Sequence, residues 1–215
     1  MAKRLFSSTL SFADVTCIRG SRLLFQNFSA VLPAGGVMRL AGVNGAGKTS
    51  LLRIAAGALP ATSGQILWDG RNILENDIPT HNACFAFLPA DDRDLKLLET
   101  ARENLIFWAR LWALPDAAGA VSRALAVFGL DALAAAPVRL LSAGQKRRLS
   151  LARVVMKQSP LWLLDEPFNA LDDAAVDLFA AALAAHRADG GMAILATHHC
   201  PAFDGVQTMM LSGAA

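Results

Sequence analysis

The chain has no tyrosine, and only 7% of its 215 residues are aromatic. Its three cysteines, Cys17, Cys84 and Cys200, are odd in number and widely scattered. They supply no secreted disulfide framework and point to a reducing cytosol. Charge imbalance is missing too: 20 basic against 18 acidic residues leave a formal net charge of +2. Such a balance is no general magnet for nucleic acid or anionic lipid, so any anion site has to be local. No apolar run reaches the roughly 20 residues that span a bilayer, because Arg, Lys, Asp or Glu interrupts each one, so direct membrane insertion is not expected. Lys3 and Arg4 are followed by Ser7, Ser8, Thr9 and Ser11 rather than by a compact apolar stretch, which argues against a secretion signal. Internal repeats and low-complexity segments are absent, although alanine is frequent.

What remains is a chain of 54% hydrophobic and 18% charged residues, enough for a substantial core and too apolar for a disordered tail. A sequence this apolar also leaves surface for a partner. Leu10–Ile18 and Leu23–Leu32 read as strands around a turn at Gly20-Ser21, and Val37–Ala41 as a short buried strand. Lys48–Ala56 is helical with Gly57 as its stop, and Gly64–Trp68 is a strand ending in an Asp69-Gly70 turn. Beyond the Phe85–Leu88 strand the pattern turns helical: Glu103–Leu114, Asp116–Phe128 and Ser142–Lys157, punctuated by Pro115 and Pro137. Then Leu161–Leu164, Met192–Thr197 and Val206–Leu211 read as strands around an Ala170–Arg187 helix. Strand and helix alternate, which predicts a parallel sheet with a helical insert and no flexible linker. The expected division is one lobe of 1–92 plus 159–215 and a helical lobe of 93–158.

Chemistry begins at Gly42-Val43-Asn44-Gly45-Ala46-Gly47-Lys48-Thr49, which follows a strand and opens a helix, as a phosphate-binding loop requires. The glycines let successive N–H groups point at phosphate oxygens, and the helix N-terminus, with Ser50 in its first turn, adds the positive end of its dipole. Lys48 reaches toward β- and γ-phosphates, and the Thr49 hydroxyl is placed to ligate Mg²⁺. Such a loop serves kinases, GTPases and transport ATPases alike. The second motif, Leu161–Leu164 running into Asp165-Glu166, puts two carboxylates at the carboxyl edge of the same sheet. Asp165 then belongs to the Mg²⁺ shell, and Glu166 polarises the attacking water.

A third element, Leu141-Ser142-Ala143-Gly144-Gln145, opens a helix with Ser142 as a suitable N-cap. It resembles the signature motif of ABC-transporter ATPases, with Ala143 where that family has a glycine, and the resemblance extends over essentially the whole chain. Asn169-Ala170-Leu171-Asp172 looks like the family's D-loop, and His198, after the Met192–Ala196 strand, looks like its switch histidine. The resemblance implies an α/β P-loop NTPase fold with a RecA-like core, an antiparallel β edge and a helical subdomain. It also implies a dimer of ATPase subunits in which Ser142, Ala143, Gly144 and Gln145 face the γ-phosphate held by the other copy. Lys146, Arg147 and Arg148 are read as a solvated helix face rather than a nucleic-acid patch. His198-His199-Cys200 is spaced too closely for one metal ion.

Two positions depart from the family pattern. The family stacks an aromatic ring on adenine near the first strand pair, where this chain offers Arg19, whose guanidinium plane also stacks. The family glutamine after the Phe85–Leu88 strand is missing. Counting forward puts Ala90 there, and counting back from Glu103-Asn104-Leu105 puts Asp92, whose oxygen meets Mg²⁺ directly or through water. Glu103 to Trp112 carries two Trp and a Phe on wide apolar faces, read first as core of the helical lobe and second as a docking surface.

Within the family, Cys17–Phe25, Asn44–Arg53, Gly64–Gly70, Leu141–Arg148 and Leu161–Phe168 are similar to the ATPase subunits of haem exporters in cytochrome c maturation. That resemblance implies ATP and Mg²⁺ as cofactors and a peripheral place on the cytoplasmic face of the bacterial inner membrane. It implies an integral membrane permease subunit (CcmB-like) and further maturation subunits as partners. A compact exporter of drug, lipid or polypeptide, and a regulatory module that binds ATP without hydrolysing it, are the other readings.

Overall fold

The computed structural model describes residues 5–73, 82–199, 201 and 204–211. Inter-residue contacts divide the chain into two compact units: 1–87, 159–166 and 185–215 form the first, 88–158 and 167–184 the second. This differs from the expected lobes on two counts. The segment 88–92 goes with the helices because Pro89 and Asp92 are bonded to Arg147, and 167–184 is tied to them where Pro167 O accepts from Arg147 Nε.

The first unit holds two sheets. β1 (Leu10–Arg19) pairs antiparallel with β2 (Arg22–Leu32) and with β4 (Ser63–Trp68), and β4 pairs with β5 (Arg71–Asn72), giving the order β2-β1-β4-β5. The other sheet has the order β6-β7-β8-β3-β9, from β3 (Val37–Ala41), β6 (Phe85–Leu88), β7 (Leu161–Asp165), β8 (Met192–Ala196) and β9 (Val206–Met210). Its β7–β8, β8–β3 and β3–β9 pairs are parallel, as the alternation of strand and helix requires. β7 and β8 are buried at every position, which is why both read as unbroken apolar runs.

Helix α1 (Lys48–Ala55) joins the two sheets in one core. Leu51, Leu52 and Ile54 meet Phe12, Phe25 and Phe28 from the antiparallel sheet and Met38, Leu163 and Ile194 from the parallel one. Cys17 is buried in this core and its thiol pKa is raised by desolvation, while Cys84 stands just before β6. Neither Cys17 nor Cys84 is in a disulfide, and Cys200 lies outside the described residues.

In the second unit α2 (Ala101–Leu111), α3 (Ala117–Val127) and α4 (Ala143–Lys157) pack against one another. α2 starts two residues before the expected Glu103, because Thr100 and Glu103 form a capping box that satisfies the first-turn N–H groups. It ends before Leu114 as Ala113 turns into the left-handed region ahead of Pro115. α5 (Asp173–Ala188) starts three residues later than expected, since Ala170 is left-handed at φ 62 and Asp172 caps the helix by accepting from Ala175 N. Among the described residues no helix is long and apolar enough to cross a membrane.

Candidate functional site

In the first unit β3 ends at Ala41, and the chain turns through Gly42–Gly47 into α1. Val43, Asn44 and Gly45 form the exposed rim of this loop, Ala46 is buried, and Ser50 continues the first helical turn. Gly47 is required twice over. Its φ is 97°, and a Cβ there would lie 2.8 Å from Phe25 Cδ1 and 3.0 Å from Leu24 Cβ, so the loop rests directly on β2.

Lys48 is 8% exposed, and its ammonium curls back over the loop. Nζ donates to Gly42 O at 2.8 Å and to Val43 O at 3.2 Å and lies 3.0 Å from His198 Nε2. The two carbonyl partners are neutral, and a phosphate oxygen, being charged, makes the stronger bond. Thr49 Oγ1 donates to Asp165 Oδ2 at 2.7 Å, and Asp165, 4% exposed, closes β7. One hydroxyl and one carboxylate thus meet at the start of α1, both hard oxygen ligands of the kind a small divalent cation takes.

Glu166 is held in an uncommon backbone conformation, φ 46°, with its N–H donating to Ala196 O at 2.8 Å. Its Oε2 lies 2.9 Å from Thr197 Oγ1, which also lies 2.7 Å from His199 O and has one proton for the two. Glu166 Oε1 is 3.8 Å from His198 Nε2. Arg39 donates to the His198 carbonyl at 2.9 Å and anchors that histidine's backbone. Sequence reasoning missed Arg39, although a half-buried cation inside the apolar strand Val37–Ala41 was the available signal. Lys48, Thr49, Asp165, Glu166 and His198 therefore converge in one unit.

Arg19 is turned elsewhere. Its Nη2 donates to Pro60 O at 2.8 Å and its Nη1 to Ile18 O at 3.4 Å, so the guanidinium is committed to backbone carbonyls.

The second unit assembles the signature residues. Ser142 Oγ accepts from Gln145 N at 3.2 Å and Gln145 Oε1 accepts from Ser142 N at 2.8 Å, a capping box that fixes the start of α4. Ala143 is the first helical residue and exposed, so a methyl in place of the family's glycine meets no obstacle and favours the helix. Gly144 has no such freedom: a Cβ there would lie 2.7 Å from Ala170 O, which seats α4 against the segment leading to Asp172.

The reading of Lys146–Arg148 as a solvated face fails at its centre. Arg147 is 2% exposed and donates to Pro89 O at 2.8 Å, Asp92 Oδ1 at 3.3 Å and Pro167 O at 3.4 Å. Ser150 Oγ donates to the same Asp92 oxygen at 2.7 Å. Asp92 is thus bound to α4, the helix that opens with Ser142, and Arg153 pairs with Asp94 one turn further along.

The aromatic stretch of α2 is also not simple core. Phe107 is 41% and Leu111 61% exposed. Lys96 sits 3.6 Å above Phe107, Arg153 4.8 Å from Trp108 and Lys157 5.2 Å from Trp112, so cations cover rings that the helices do not bury.

The ABC transporter family profile matches residues 25–169. The cytochrome c biogenesis ATP-binding export protein CcmA of Paramagnetospirillum magneticum is 45% identical over 206 residues, covering 95% of this chain and 94% of that protein. The protein of the same description in Albidiferax ferrireducens is 42% identical over 192 residues, 88% of this chain and 90% of its own length. Among solved structures, an ABC transporter ATP-binding protein from Pyrococcus furiosus superposes with a TM-score of 0.81 at 21% identity, over 94% of this chain and 97% of that chain, which shows the fold. With a phosphate loop, an Asp-Glu pair and a signature helix in place, and with relatives matched nearly end to end, this chain belongs to the ABC transporter family as one of its ATP-binding subunits.

Proposed function

We propose that the chain is the ATP-hydrolysing subunit of the haem exporter that serves cytochrome c maturation. In this reading it sits on the cytoplasmic face of the bacterial inner membrane, against an integral permease subunit (CcmB-like). It works as a dimer of ATPase subunits, with ATP between the 42–49 loop of one copy and Ser142–Gln145 of the other. The observation that carries the chemical part is the convergence of Lys48, Thr49, Asp165, Glu166 and His198 within one unit. The export part rests on relatives named for cytochrome c biogenesis export at 45% and 42% identity.

The Thr49 hydroxyl and the Asp165 carboxylate are the residues that would hold Mg²⁺. When bound, that ion supplies neutralisation of charge on the β- and γ-phosphate oxygens. The chain's own groups do the rest. Lys48 exchanges its carbonyl partners for phosphate oxygens and so binds the triphosphate tail. Glu166, oriented through Thr197 and its backbone bond to Ala196, holds the attacking water and takes its proton. His198 reaches the terminal phosphate from the end of β8, with Arg39 fixing its backbone. Asp172 and the signature residues 142–145 complete the site from the other copy, and Asp92 relays the state of the 89–94 loop to α4 through Arg147 and Ser150.

The test is haem staining of c-type cytochromes in a strain lacking this gene, complemented with the wild type or with Lys48→Ala. Staining lost in the deletion and restored by the wild type alone is the expected result. Normal staining in the deletion would end the haem assignment and leave an ABC ATPase with another cargo.

A further inference from the structure

A second cation stands at the phosphate loop. Arg22 opens β2 and pairs with Arg19 across the β1–β2 hairpin, so its side chain leaves the sheet at the end nearest the loop. The next residues of that strand, Leu24 and Phe25, are the ones against which Gly47 packs. Strand β2 and the loop therefore run side by side, and Arg22 is placed next to the loop's exposed rim. Both terminal nitrogens of its guanidinium lie 3.5 Å from the point where a Cβ on Gly45 would stand. The fork is thus turned broadside to the loop.

The side chain is exposed, and among the described residues its guanidinium has no hydrogen-bond or ion-pair partner, in contrast to Arg19, which is tied to Pro60 O. Among the described residues no carboxylate is bonded to it. A planar guanidinium matches two oxygens of a phosphate group, and such charge-assisted bonds exceed those to neutral acceptors. From these observations we infer that Arg22 is a nucleotide-binding residue whose guanidinium grips an oxygen pair of the triphosphate tail at the Asn44–Gly45 rim of the loop.

This inference rests on the reading of residues 42–49 as an ATP site, and the experiment separates the two. The full chain is purified as wild type, Arg22→Ala and Arg22→Lys, and its affinity is measured for ATP and for inorganic triphosphate, a probe without base or ribose. Melting temperature without ligand serves as the check on folding. The expected result is a loss of about tenfold in affinity of Arg22→Ala for both ligands. Arg22→Lys, which keeps charge but not the fork, should fall between, and all three proteins should melt alike without ligand. Wild-type affinity of Arg22→Ala for both ligands overturns the inference. Loss of ATP affinity with retained triphosphate affinity overturns the phosphate contact and assigns Arg22 to the base or ribose. Failure of the wild type itself to bind either ligand overturns the ATP-site reading rather than the role of Arg22 alone.

Discussion

Lys48 Nζ lies 3.0 Å from His198 Nε2, and Glu166 Oε1 lies 3.8 Å from the same ring nitrogen. An ammonium has only protons to offer, so a hydrogen bond between the two has Nε2 as its acceptor. Lys48, His198 and Glu166 are thus linked through one atom. In the proposed ATP site, a phosphate that takes over Lys48 would break this contact and leave His198 Nε2 without it.

Lys48→Ala should abolish measurable turnover and weaken ATP binding by roughly a hundredfold, since the only loop side chain charged to meet the tail is removed. Titration of the purified variant with ATP, beside a phosphate-release assay, checks both halves. Retained turnover would remove Lys48 from the site.

Glu166→Gln keeps the Thr197 contact and the backbone bond to Ala196 but cannot take a proton from water. ATP binding should stay within about threefold of the wild type, while phosphate release falls by roughly 10² to 10³. The variant should accumulate as an ATP-bound dimer on size-exclusion chromatography. Hydrolysis at the wild-type rate would take the role of general base away from Glu166. Wild-type protein that binds ATP but releases no phosphate, alone or with its membrane partner, would favour the regulatory module.

Arg147→Met takes a donor from Pro89 O, Pro167 O and Asp92 Oδ1, of which Asp92 alone keeps another in Ser150 Oγ. Breaking a buried pair in this way costs on the order of 3 kcal/mol. Urea unfolding should show the loss, and Arg147→Lys should recover part of it. An unfolding midpoint equal to the wild type would mean that the 89–94 loop and α4 hold together without this cross-link.

Gly144→Ala adds a Cβ that would stand 2.7 Å from Ala170 O, a backbone atom that cannot swing aside like a side chain. The expected cost is about 1 to 3 kcal/mol. Ala143→Gly, at the neighbouring exposed position, should cost less than 1 kcal/mol by helix propensity alone. Thermal melting of the two variants side by side tests the contrast, and equal melting would deny the close approach.

His186 gives the chain an acid limit. Its ring stacks on Trp162 at 4.0 Å and its Nε2–H donates to Met192 O at 3.1 Å. Burial lowers its pKa from 6.5 to about 4, against the opposing pull of the Met192 carbonyl and Asp189. Between those values the unfolded chain takes up a proton that the folded chain refuses. Stability from this group is therefore complete above about pH 7 and declines as pH falls through 6.5 toward 4, by on the order of 3 kcal/mol at the lower end. A pH series of urea midpoints for the wild type and His186→Phe should diverge below pH 6.5. Parallel curves would refute the account.

The strands of the parallel sheet were legible because burial on both faces leaves a plain signal, as in Leu161–Leu164 and Met192–Ala196. A cap was legible too: Ser142 starts its helix as its side chain suggests. β5 was not, since the two residues Arg71-Asn72 carry no period and owe their pairing to Leu67 and Trp68. Arg147 was misread because a charged residue in a basic helical run reads as solvated, and only the tertiary structure brings Pro89, Asp92 and Pro167 to it. The rings of α2 were misread for the converse reason: cations from other segments shield them where apolar neighbours were expected. Motif spacing names Lys48, Thr49, Asp165, Glu166 and His198, but the direction in which Arg19 and Arg22 point is decided by the hairpin and by Pro60 O.

The absence of tyrosine has an optical consequence. Ultraviolet emission from this chain comes from four tryptophans alone, and they divide evenly: Trp68 and Trp162 belong to the first unit, Trp108 and Trp112 to the second. Replacing Trp108 and Trp112 with phenylalanine leaves a protein whose light reports the nucleotide loop's own unit, and replacing Trp68 and Trp162 leaves one that reports the signature helix. Each half of the ATPase can then be watched through a nucleotide cycle without any attached dye.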